Sequence, residues 1–337
     1  MNPVLVEVVR GGHVESAHRG AVAVIDATGS VALELGNVTA AVYPRSVVKP
    51  LQALPLVSSG AADRLRLTDA EIALACGSHA GLPLHGSTVT AMLAKAGCGP
   101  ACLKCGVHWP LDEQAGNDLA AGGFLPTAIH NNCSGKHAGL LCLSCFRGYD
   151  PADYTRPDHP AMEEMTTALS AMLEEPLGEC NRGIDGCSIP TYAVPLRSLA
   201  TGFSRFATGR GLPEELALAA ARVRRAMCSH PEMIAGPGRF DTRIIAAYGD
   251  AILLKSGAEG VACAAIPAAA LGIAVKIDDG ASRAAEVVMA TLLQRFLGEA
   301  GATRASNRNV LDDLARPAVR NWNGTIVGTV QCAKWAS

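Results

Sequence analysis

The segment YPRSVVKPLQ, residues 43–52, places Ser46 and Lys49 three positions apart. Residues at i and i+3 lie on the same side of a helical turn, so the serine hydroxyl and the lysine amine can meet there. Serine alone is a weak nucleophile, but a neutral lysine beside it can take its proton. The same spacing also suits a helix-capping serine and a lysine that extends along the surface. The spacing alone does not separate the two interpretations.

Two further segments combine small and polar residues. In CGSHAG, residues 76–81, Ser78 follows an apolar helical pattern, and the small residues allow either close approach to a ligand or a simple turn at the helix end. In HNNCSGKHAG, residues 130–139, a dense polar cluster directly precedes a predicted helix. Backbone N–H groups at a helix start can bind an anion or a carboxylate, so this segment is a stronger functional candidate.

Two more candidates lie in the second half of the chain. GIDGCSIPTYAVPL, residues 183–196, holds Asp185 and Cys187 between glycines and prolines, which favours a loop of defined shape. Lys255 ends the apolar run AILLK and precedes a glycine-containing turn. A lysine at such an edge is either partly buried, with a shifted pKa, or directed to solvent.

The chain has 12 cysteines and no recognisable secretion signal, so we expect reduced thiols, metal ligands or buried small side chains. Two pairs have the Cys-x-x-Cys spacing of zinc knuckles: Cys102 with Cys105, and Cys142 with Cys145. The second pair lies inside the apolar helical run LLCLSCF, where the turn of a knuckle is missing. Cys133 and Cys187, in polar loops flanked by glycine, are the better metal candidates.

Composition limits the class of protein. Of 337 residues, 49% are hydrophobic and 18% are charged, and the formal net charge is -2, so a large core is expected and a nucleic-acid partner is not. Residues 260–275 are uncharged but are interrupted by Pro267 and Gly272, which argues against a membrane span. We therefore expect a cytoplasmic protein that binds neither nucleic acid nor membrane.

The order of patterns along the chain predicts an α+β fold. Short β-rich runs occupy the start (VLVEVVR, AVAVID, SVALELG) and the end (AILLKS, VACAAI, LGIAVKI, TIVGTVQC). Residues from about 50 to 240 are mostly helical, with an irregular stretch at 97–135. This layout predicts that strands from both termini meet in one sheet, with a helical region between them, in a single catalytic unit covering residues 1–337.

Taken together and in order, five of these segments resemble one family: YPRSVVKPLQ, CGSHAG, NNCSGKHAG, GIDGCSIPTYAVPL and LLKSGAEG are similar to the Rhizobium etli-type (class 3) L-asparaginases. The similarity runs from about residue 4 to the C-terminus. It implies a fold like that of the serine β-lactamases and glutaminases. It also implies two Ser-Lys pairs: Ser46 with Lys49, and Ser78 with Lys255.

The resemblance implies several further properties. The reaction is hydrolysis of L-asparagine to L-aspartate and ammonia, by a homodimer. Arg45, Asp185 and His137 are implied to contact the substrate or to order the site. A zinc ion near the active site is implied to be held by Cys133, Lys136 and Cys187. Since a Ser-Lys apparatus needs no metal-bound hydroxide, we expect this zinc to orient loops and the substrate rather than to act as the hydrolytic base.

Several alternatives remain open at the level of sequence. The nucleophile is either Ser46, which we favour slightly because it has its own lysine, or Ser78. A glutaminase or a β-lactamase-like acyl hydrolase would use the same Ser-x-x-Lys spacing. A binding module without catalysis, stabilised by zinc on the two Cys-x-x-Cys pairs, is the non-enzymatic alternative.

Overall fold

A computed structural model describes residues 1–300 and 308–336. The chain divides into two compact units. Unit 1 comprises Met1–Val47, Val194–Thr208 and Arg243–Ser337, and unit 2 comprises Val48–Ala193 and Gly209–Thr242. The single catalytic unit over residues 1–337 stays a prediction.

The strands in chain order are β1 (Val4–Arg10), β2 (His13–Asp26), β3 (Val31–Leu35), β4 (Ala41–Val42), β5 (Arg182–Ile184), β6 (Pro190–Tyr192), β7 (Val194–Pro195), β8 (Leu253–Ser256), β9 (Val261–Ile266), β10 (Leu271–Ile277), β11 (Ala318–Arg320) and β12 (Ile326–Cys332). The helices are α1 (Lys49–Gln52), α2 (Leu54–Ser58), α3 (Ala61–Arg64), α4 (Asp69–Ala75), α5 (Pro83–Lys95), α6 (Glu113–Ala121), α7 (Ser134–Arg147), α8 (Pro160–Leu173), α9 (Leu196–Thr208), α10 (Glu214–Ser229), α11 (Phe240–Tyr248), α12 (Ser282–Glu299) and α13 (Arg308–Ala315).

Unit 1 is built on an eight-stranded antiparallel sheet with the order β11-β12-β1-β2-β10-β9-β8, and β3 pairs with β2 as well. The first and last long strands are neighbours, since Val8 of β1 faces Val330 of β12. The first half of β2 pairs with β1, while its second half pairs with β10 and β3. The predicted meeting of N- and C-terminal strands in one sheet is confirmed.

The central strands consist of small and β-branched residues that are buried on both faces. Ala21 to Ile25 of β2 and all of β9 are buried, which explains the continuous apolar runs AVAVI and VACAAI. Helices α9 and α12 pack against these strands and complete the core of unit 1.

Unit 2 is mainly helical, with one small hairpin of β5 and β6. Its central helix is α7, in which every residue from Ser134 to Ser144 is buried. Helix α4 begins at a capping box: the Glu71 N–H donates to Thr68 Oγ1 at 3.3 Å, and the Thr68 N–H donates to Glu71 Oε2 at 2.6 Å. With one unit mainly helical and the other built on a sheet of terminal strands, the chain has the α+β fold expected of the serine β-lactamase-like class, and that prediction is confirmed.

The structure corrects the prediction for residues 97–135 in one place. Helix α6 lies within this stretch, and the Asp112 carboxylate caps it by accepting the Ala115 N–H at 2.9 Å. Its sequence, EQAGNDLAA, contains Gly and Asn and has no apolar periodicity, so the capping residue was the usable signal. No helix within residues 1–300 and 308–336 combines the length and the apolar character needed to cross a membrane.

Candidate active site

Lys49 is a buried amine held by three acceptors in unit 2. Its side chain lies at the start of α1 and is 1% exposed. The Nζ atom lies 2.7 Å from the Gly77 carbonyl oxygen, 3.0 Å from Ser78 Oγ and 3.3 Å from the Asn132 carbonyl oxygen. A protonated Lys49 donates to all three oxygens; once it has lost a proton, the amine can donate to the two carbonyls and turn its lone pair to the Ser78 hydroxyl. This geometry permits proton transfer from Ser78 to Lys49.

Close backbone packing fixes the turn that carries Ser78. A Cβ atom on Gly77 would lie 2.4 Å from the Met233 carbonyl oxygen, so no other residue fits there without a shift. The Ser78 N–H donates to the Ile234 carbonyl at 2.7 Å. This N–H is therefore already engaged, and an oxyanion formed at Ser78 would need other donors.

His79 connects this turn to the start of α7. Ser134 Oγ donates to the Ile129 carbonyl at 2.8 Å, so it accepts from His79 Nε2, also at 2.8 Å. His79 Nδ1 accepts the Gly81 N–H at 3.2 Å. Burial, followed by the neighbouring His85, lowers the pKa of His79 well below its usual value. The imidazole is thus a neutral structural link, a role that the sequence motif did not reveal.

The three predicted zinc ligands lie together in unit 2. Cys133, Lys136 and Cys187 are all buried, and Lys136 Nζ donates to Cys187 Sγ at 2.9 Å. The Cys187 thiol is in turn hydrogen-bonded to Cys133, and this bond, with the charges of Lys49 and Lys136, lowers the pKa of Cys133 well below its usual value. The pKa of Cys187 is raised by the same bond and by burial. One thiolate and one thiol therefore share a proton beside the lysine.

The ionisation of Lys136 follows from this arrangement. Burial alone would lower its pKa, but the charges of Cys187 and Cys133 and the bond to Cys187 raise it overall. The set is chemically suited to zinc, because thiolates and a neutral amine are soft or borderline ligands. Zinc would have to displace the protons of Lys136 and Cys187. Within the residues that the structure describes, no group of three or more His, Cys, Asp or Glu side chains is arranged to hold a metal, and here the third member is a lysine.

Asp185 and His137 occupy different surroundings. Asp185 shapes the 183–190 loop, because its Oδ1 accepts the Gly186 N–H at 2.9 Å, and its charge adds to the raised pKa of Lys136. His137 is fully buried in α7, with Nδ1 2.6 Å from the Tyr154 hydroxyl. Burial, then the charges of Lys136 and Lys49, lowers the pKa of His137 well below its usual value. Contact of either residue with a substrate stays a prediction.

The remaining predicted catalytic residues belong to unit 1. Ser46 lies in a 3₁₀ turn, Arg45–Val48, and is partly exposed. Lys255, in β8, is 1% exposed, and its Nζ donates to the Ser256 carbonyl at 2.6 Å. The strand end packs directly on the turn, since a Cβ atom on Gly257 would lie 3.3 Å from the Ser46 nitrogen. The structure thus brings the Lys255 strand end and the Ser46 turn together.

Arg45 shares this turn and has a left-handed backbone, with φ of 52°. Its Nη1 lies 3.9 Å from Glu259 Oε1, a long ion pair at the surface of unit 1. The predicted pairing of Ser78 with Lys255 joins residues of different units and stays a prediction. The contact between Lys49 and Ser78, in contrast, was not predicted from the sequence.

The two Cys-x-x-Cys pairs do not form a metal-binding group of four cysteines within the part of the chain that the structure describes. Cys105 Sγ donates to the Ala128 carbonyl at 3.4 Å, and Cys142 Sγ donates to the Met92 carbonyl at 3.5 Å. Each thiol therefore already serves as a weak donor to a backbone group. The zinc-stabilised binding module gains no support from this arrangement.

Comparison with known proteins gives one family and several solved structures. The family model described as L-asparaginase II matches residues 6–332. None of the curated proteins matches the chain. A β-lactamase from Mycobacterium bovis is 16% identical, with a TM-score of 0.42, over 83% of this chain and 94% of that one. A β-lactamase from Sphaerobacter thermophilus is 16% identical, with a TM-score of 0.40, over 85% and 93%.

A structure described as Mglu in its native form is 17% identical, with a TM-score of 0.37, over 89% of this chain and 68% of that one. All three TM-scores lie below 0.5, which is too low to support a functional comparison. The family match, which covers nearly the whole chain, is the finding with functional weight.

Proposed function

We propose that this chain, which belongs to the L-asparaginase II family, hydrolyses the side-chain amide of L-asparagine to L-aspartate and ammonia. The family supports an asparaginase or a related amidohydrolase acting on a small molecule. Specificity for L-asparagine, and membership of the Rhizobium etli type, are the finer parts of the proposal. They rest on the motifs around Ser46, Ser78, Cys133, Asp185 and Lys255.

The observation that carries the proposal is the contact between Lys49 Nζ and Ser78 Oγ, at 3.0 Å. Two backbone carbonyls hold the amine in place, so little reorganisation is needed when it accepts a proton. A general base in this position typically contributes about 10²- to 10⁴-fold in rate. The same amine, once protonated, can return its proton to the leaving group.

The chemistry proceeds through a covalent ester. A serine oxygen attacks the amide carbon of the substrate, the hydroxyl proton passes to a lysine, and the carbon–nitrogen bond breaks as that proton moves to the departing ammonia. Water then attacks the acyl-enzyme and gives a proton to the lysine; the ester carbon–oxygen bond breaks, the lysine returns the proton to the serine oxygen, and L-aspartate is released. Ser78 either attacks directly or passes the proton of Ser46 to Lys49.

The other predicted residues have roles that the family resemblance implies. Arg45 suits the carboxylate of the substrate, because a guanidinium binds carboxylates through paired N–H groups. Asp185 suits the α-ammonium group by opposite charge. Lys255 would serve as the second base, beside the Ser46 turn. A homodimer in the cytoplasm completes the proposal, and sedimentation of the purified protein tests the oligomeric part.

Cys133, Lys136 and Cys187 would hold the zinc ion. Bound zinc would cross-link the start of α7 to the 183–190 loop and so order the substrate site. No step of the hydrolysis passes through it. We therefore expect chelation to raise KM for L-asparagine while turnover persists; complete loss of turnover with the fold intact would contradict this role.

Ammonia release tests the proposed activity. We expect release from L-asparagine, little from L-glutamine, and none from a β-lactam, since one methylene is worth about 1–3 kcal/mol of discrimination in a fitted pocket. Ser46→Ala should abolish release. Preferential release from L-glutamine would make the enzyme a glutaminase, and turnover of a β-lactam would support the acyl-hydrolase alternative. No release from any of them would overturn the proposal.

Intact mass spectrometry decides between the two serines. Ser46→Ala and Ser78→Ala, each mixed with L-asparagine and quenched in acid, are compared for a covalent aspartyl adduct. An adduct in Ser78→Ala but not in Ser46→Ala would identify Ser46 as the nucleophile, as the sequence favours. The reverse pattern would identify Ser78.

A further inference from the structure

A second group of thiols lies in unit 2, outside the residues assigned to catalysis or zinc. Cys98 follows the end of α5, Cys102 ends a short 3₁₀ turn, and Cys145 lies in the last turn of α7. Cys98 Sγ and Cys145 Sγ are 3.6 Å apart, and the Cys102 thiol is also hydrogen-bonded to Cys98. All three side chains are partly exposed. A disulfide needs an S–S distance of about 2.05 Å, so the nearest pair would close by a small side-chain movement.

Cys145 also lines an open cleft of about 500 Å³ whose other walls carry positive charge. Arg64, Arg66 and Lys95 line this cleft together with Cys145. The Lys95 ammonium is already paired with Glu71 at 2.6 Å, which leaves the two arginines as the main source of positive potential. A cleft of one sign of charge raises the local concentration of oppositely charged small molecules.

We propose that Cys145 and Cys98 form a thiol–disulfide exchange site for anionic low-molecular-weight disulfides of the oxidised glutathione class. The Cys145 thiolate attacks one sulfur of the small disulfide, whose S–S bond breaks, and the first small thiol leaves and takes a proton. Cys98 then attacks the mixed disulfide on Cys145. The second small thiol leaves with a proton, and an internal Cys98–Cys145 disulfide remains. One disulfide and two thiols are consumed, and one disulfide and two thiols are formed.

The order of the two steps follows from exposure and charge. Cys145 meets the cleft, so it is the thiol that an incoming disulfide reaches first. Burial, and then the hydrogen bond and charge of Cys145, raises the pKa of Cys98 to about 12, so this thiol keeps its proton near neutral pH. Cys98 is thus suited to the second step. Only a small fraction of Cys98 is a thiolate, but its contact with Cys145 makes the attack intramolecular and therefore faster.

Peptide mapping without reduction tests the proposal. The fully reduced whole protein is incubated with oxidised glutathione, quenched in acid and digested. We expect a linked pair of peptides that contain Cys98 and Cys145. Cys180, which is exposed, serves as the internal reference for simple surface modification. Free Cys98 and Cys145 after Cys180 has reacted completely would overturn the proposal.

Two variants separate the steps. Cys98→Ser should stop the reaction at a glutathionyl adduct on Cys145, and absence of that adduct would contradict the assigned order. Arg66→Glu should slow the reaction with oxidised glutathione roughly 10-fold, but not the reaction with neutral 2-hydroxyethyl disulfide. Arg239→Glu, a charge reversal at an exposed residue outside the cleft lining, is the matched control. Equal slowing by both charge reversals would contradict the claim that the positive charge of the cleft attracts the anionic disulfide.

Discussion

Two thiol clusters lie at opposite ends of one helix and behave in opposite ways. Cys133 immediately precedes α7 and neighbours Lys136 and Cys187, whereas Cys145 lies in the last turn of α7 and contacts Cys98. A helix of this length spans about 20 Å. The pKa of Cys133 is lowered and that of Cys98 is raised. The hydrogen bond from Cys187, the nearby lysines and the positive end of the helix favour the thiolate at the first cluster.

The comparison shows that burial does not by itself decide the charge of a cysteine. Cys133 is 5% exposed and Cys98 is only partly buried, yet the more buried thiol is the one with the lowered pKa. The hydrogen bond from Cys187, together with the neighbouring cations, outweighs its desolvation. At the second cluster the neighbours are other thiols, which oppose ionisation. The surroundings of the first cluster therefore favour a thiolate at Cys133, and those of the second keep the Cys98 thiol protonated.

Removal of the buried cation should have the largest effect. Lys136→Met removes a buried cation that donates to Cys187 and whose charge stabilises the Cys133 thiolate, and breaking a buried pair costs about 3–5 kcal/mol. We expect a loss of this size in the free energy of unfolding, measured in urea. Lys104→Met, at an exposed lysine, is the control. Unchanged stability in Lys136→Met would show that the cluster is uncharged.

Three buried histidines contrast with Cys133, because desolvation is the largest influence on their pKa values, and this makes the stability of the protein depend on pH. Burial lowers the pKa values of His79, His85 and His137 below the ordinary value near 6.5. In the unfolded chain these side chains take up protons below about pH 6.5, and in the folded protein they do not. Stability is therefore fully present above that pH and falls as the solution is acidified, by up to about 1.4 kcal/mol per pH unit for each histidine.

Urea unfolding at a series of pH values measures this slope. Replacement of His137 by Gln should reduce this slope by the contribution of one histidine, whatever the replacement does to stability at neutral pH. Stability that stays constant from pH 7 to pH 5 would contradict the neutral state of these histidines.

The smallest effect is expected at the second cluster. Cys98→Ser removes a weak contact between partly exposed thiols, so the free energy of unfolding should change by less than about 1 kcal/mol. Calorimetry of the reduced protein measures it. A loss as large as that in Lys136→Met would mean that the second cluster has a structural role and would weaken the comparison.

Sequence patterns predicted much of the fold but only part of the site. Alternating and apolar runs placed the strands of both termini, and Thr68 with Glu71 marked the start of α4, because these signals are local. The contact between Lys49 and Ser78 joins residues 29 positions apart, and no periodicity indicates it. The need for glycine at position 135 also has no local signal. A Cβ atom there would lie 2.4 Å from the Leu74 carbonyl oxygen, and this close approach arises only when α7 packs on α4.

The cysteines show the same limit. The Cys-x-x-Cys spacing drew attention to Cys102, Cys105, Cys142 and Cys145, yet the thiol contact that forms is between Cys98 and Cys145. Spacing along the chain cannot report that α5 and α7 end beside each other. The asparaginase family could be predicted where the geometry could not, because long motifs identify a family even where their contacts are unknown.

The central claim is that Lys49 acts as the base for the attacking serine. The most direct test is ammonia release from L-asparagine by the wild type, by Lys49→Met and by Lys104→Met, with the fold of each checked by circular dichroism. We predict that Lys49→Met loses roughly 10²- to 10⁴-fold in kcat, with Lys104→Met unchanged. A folded Lys49→Met variant that keeps wild-type kcat would contradict the account.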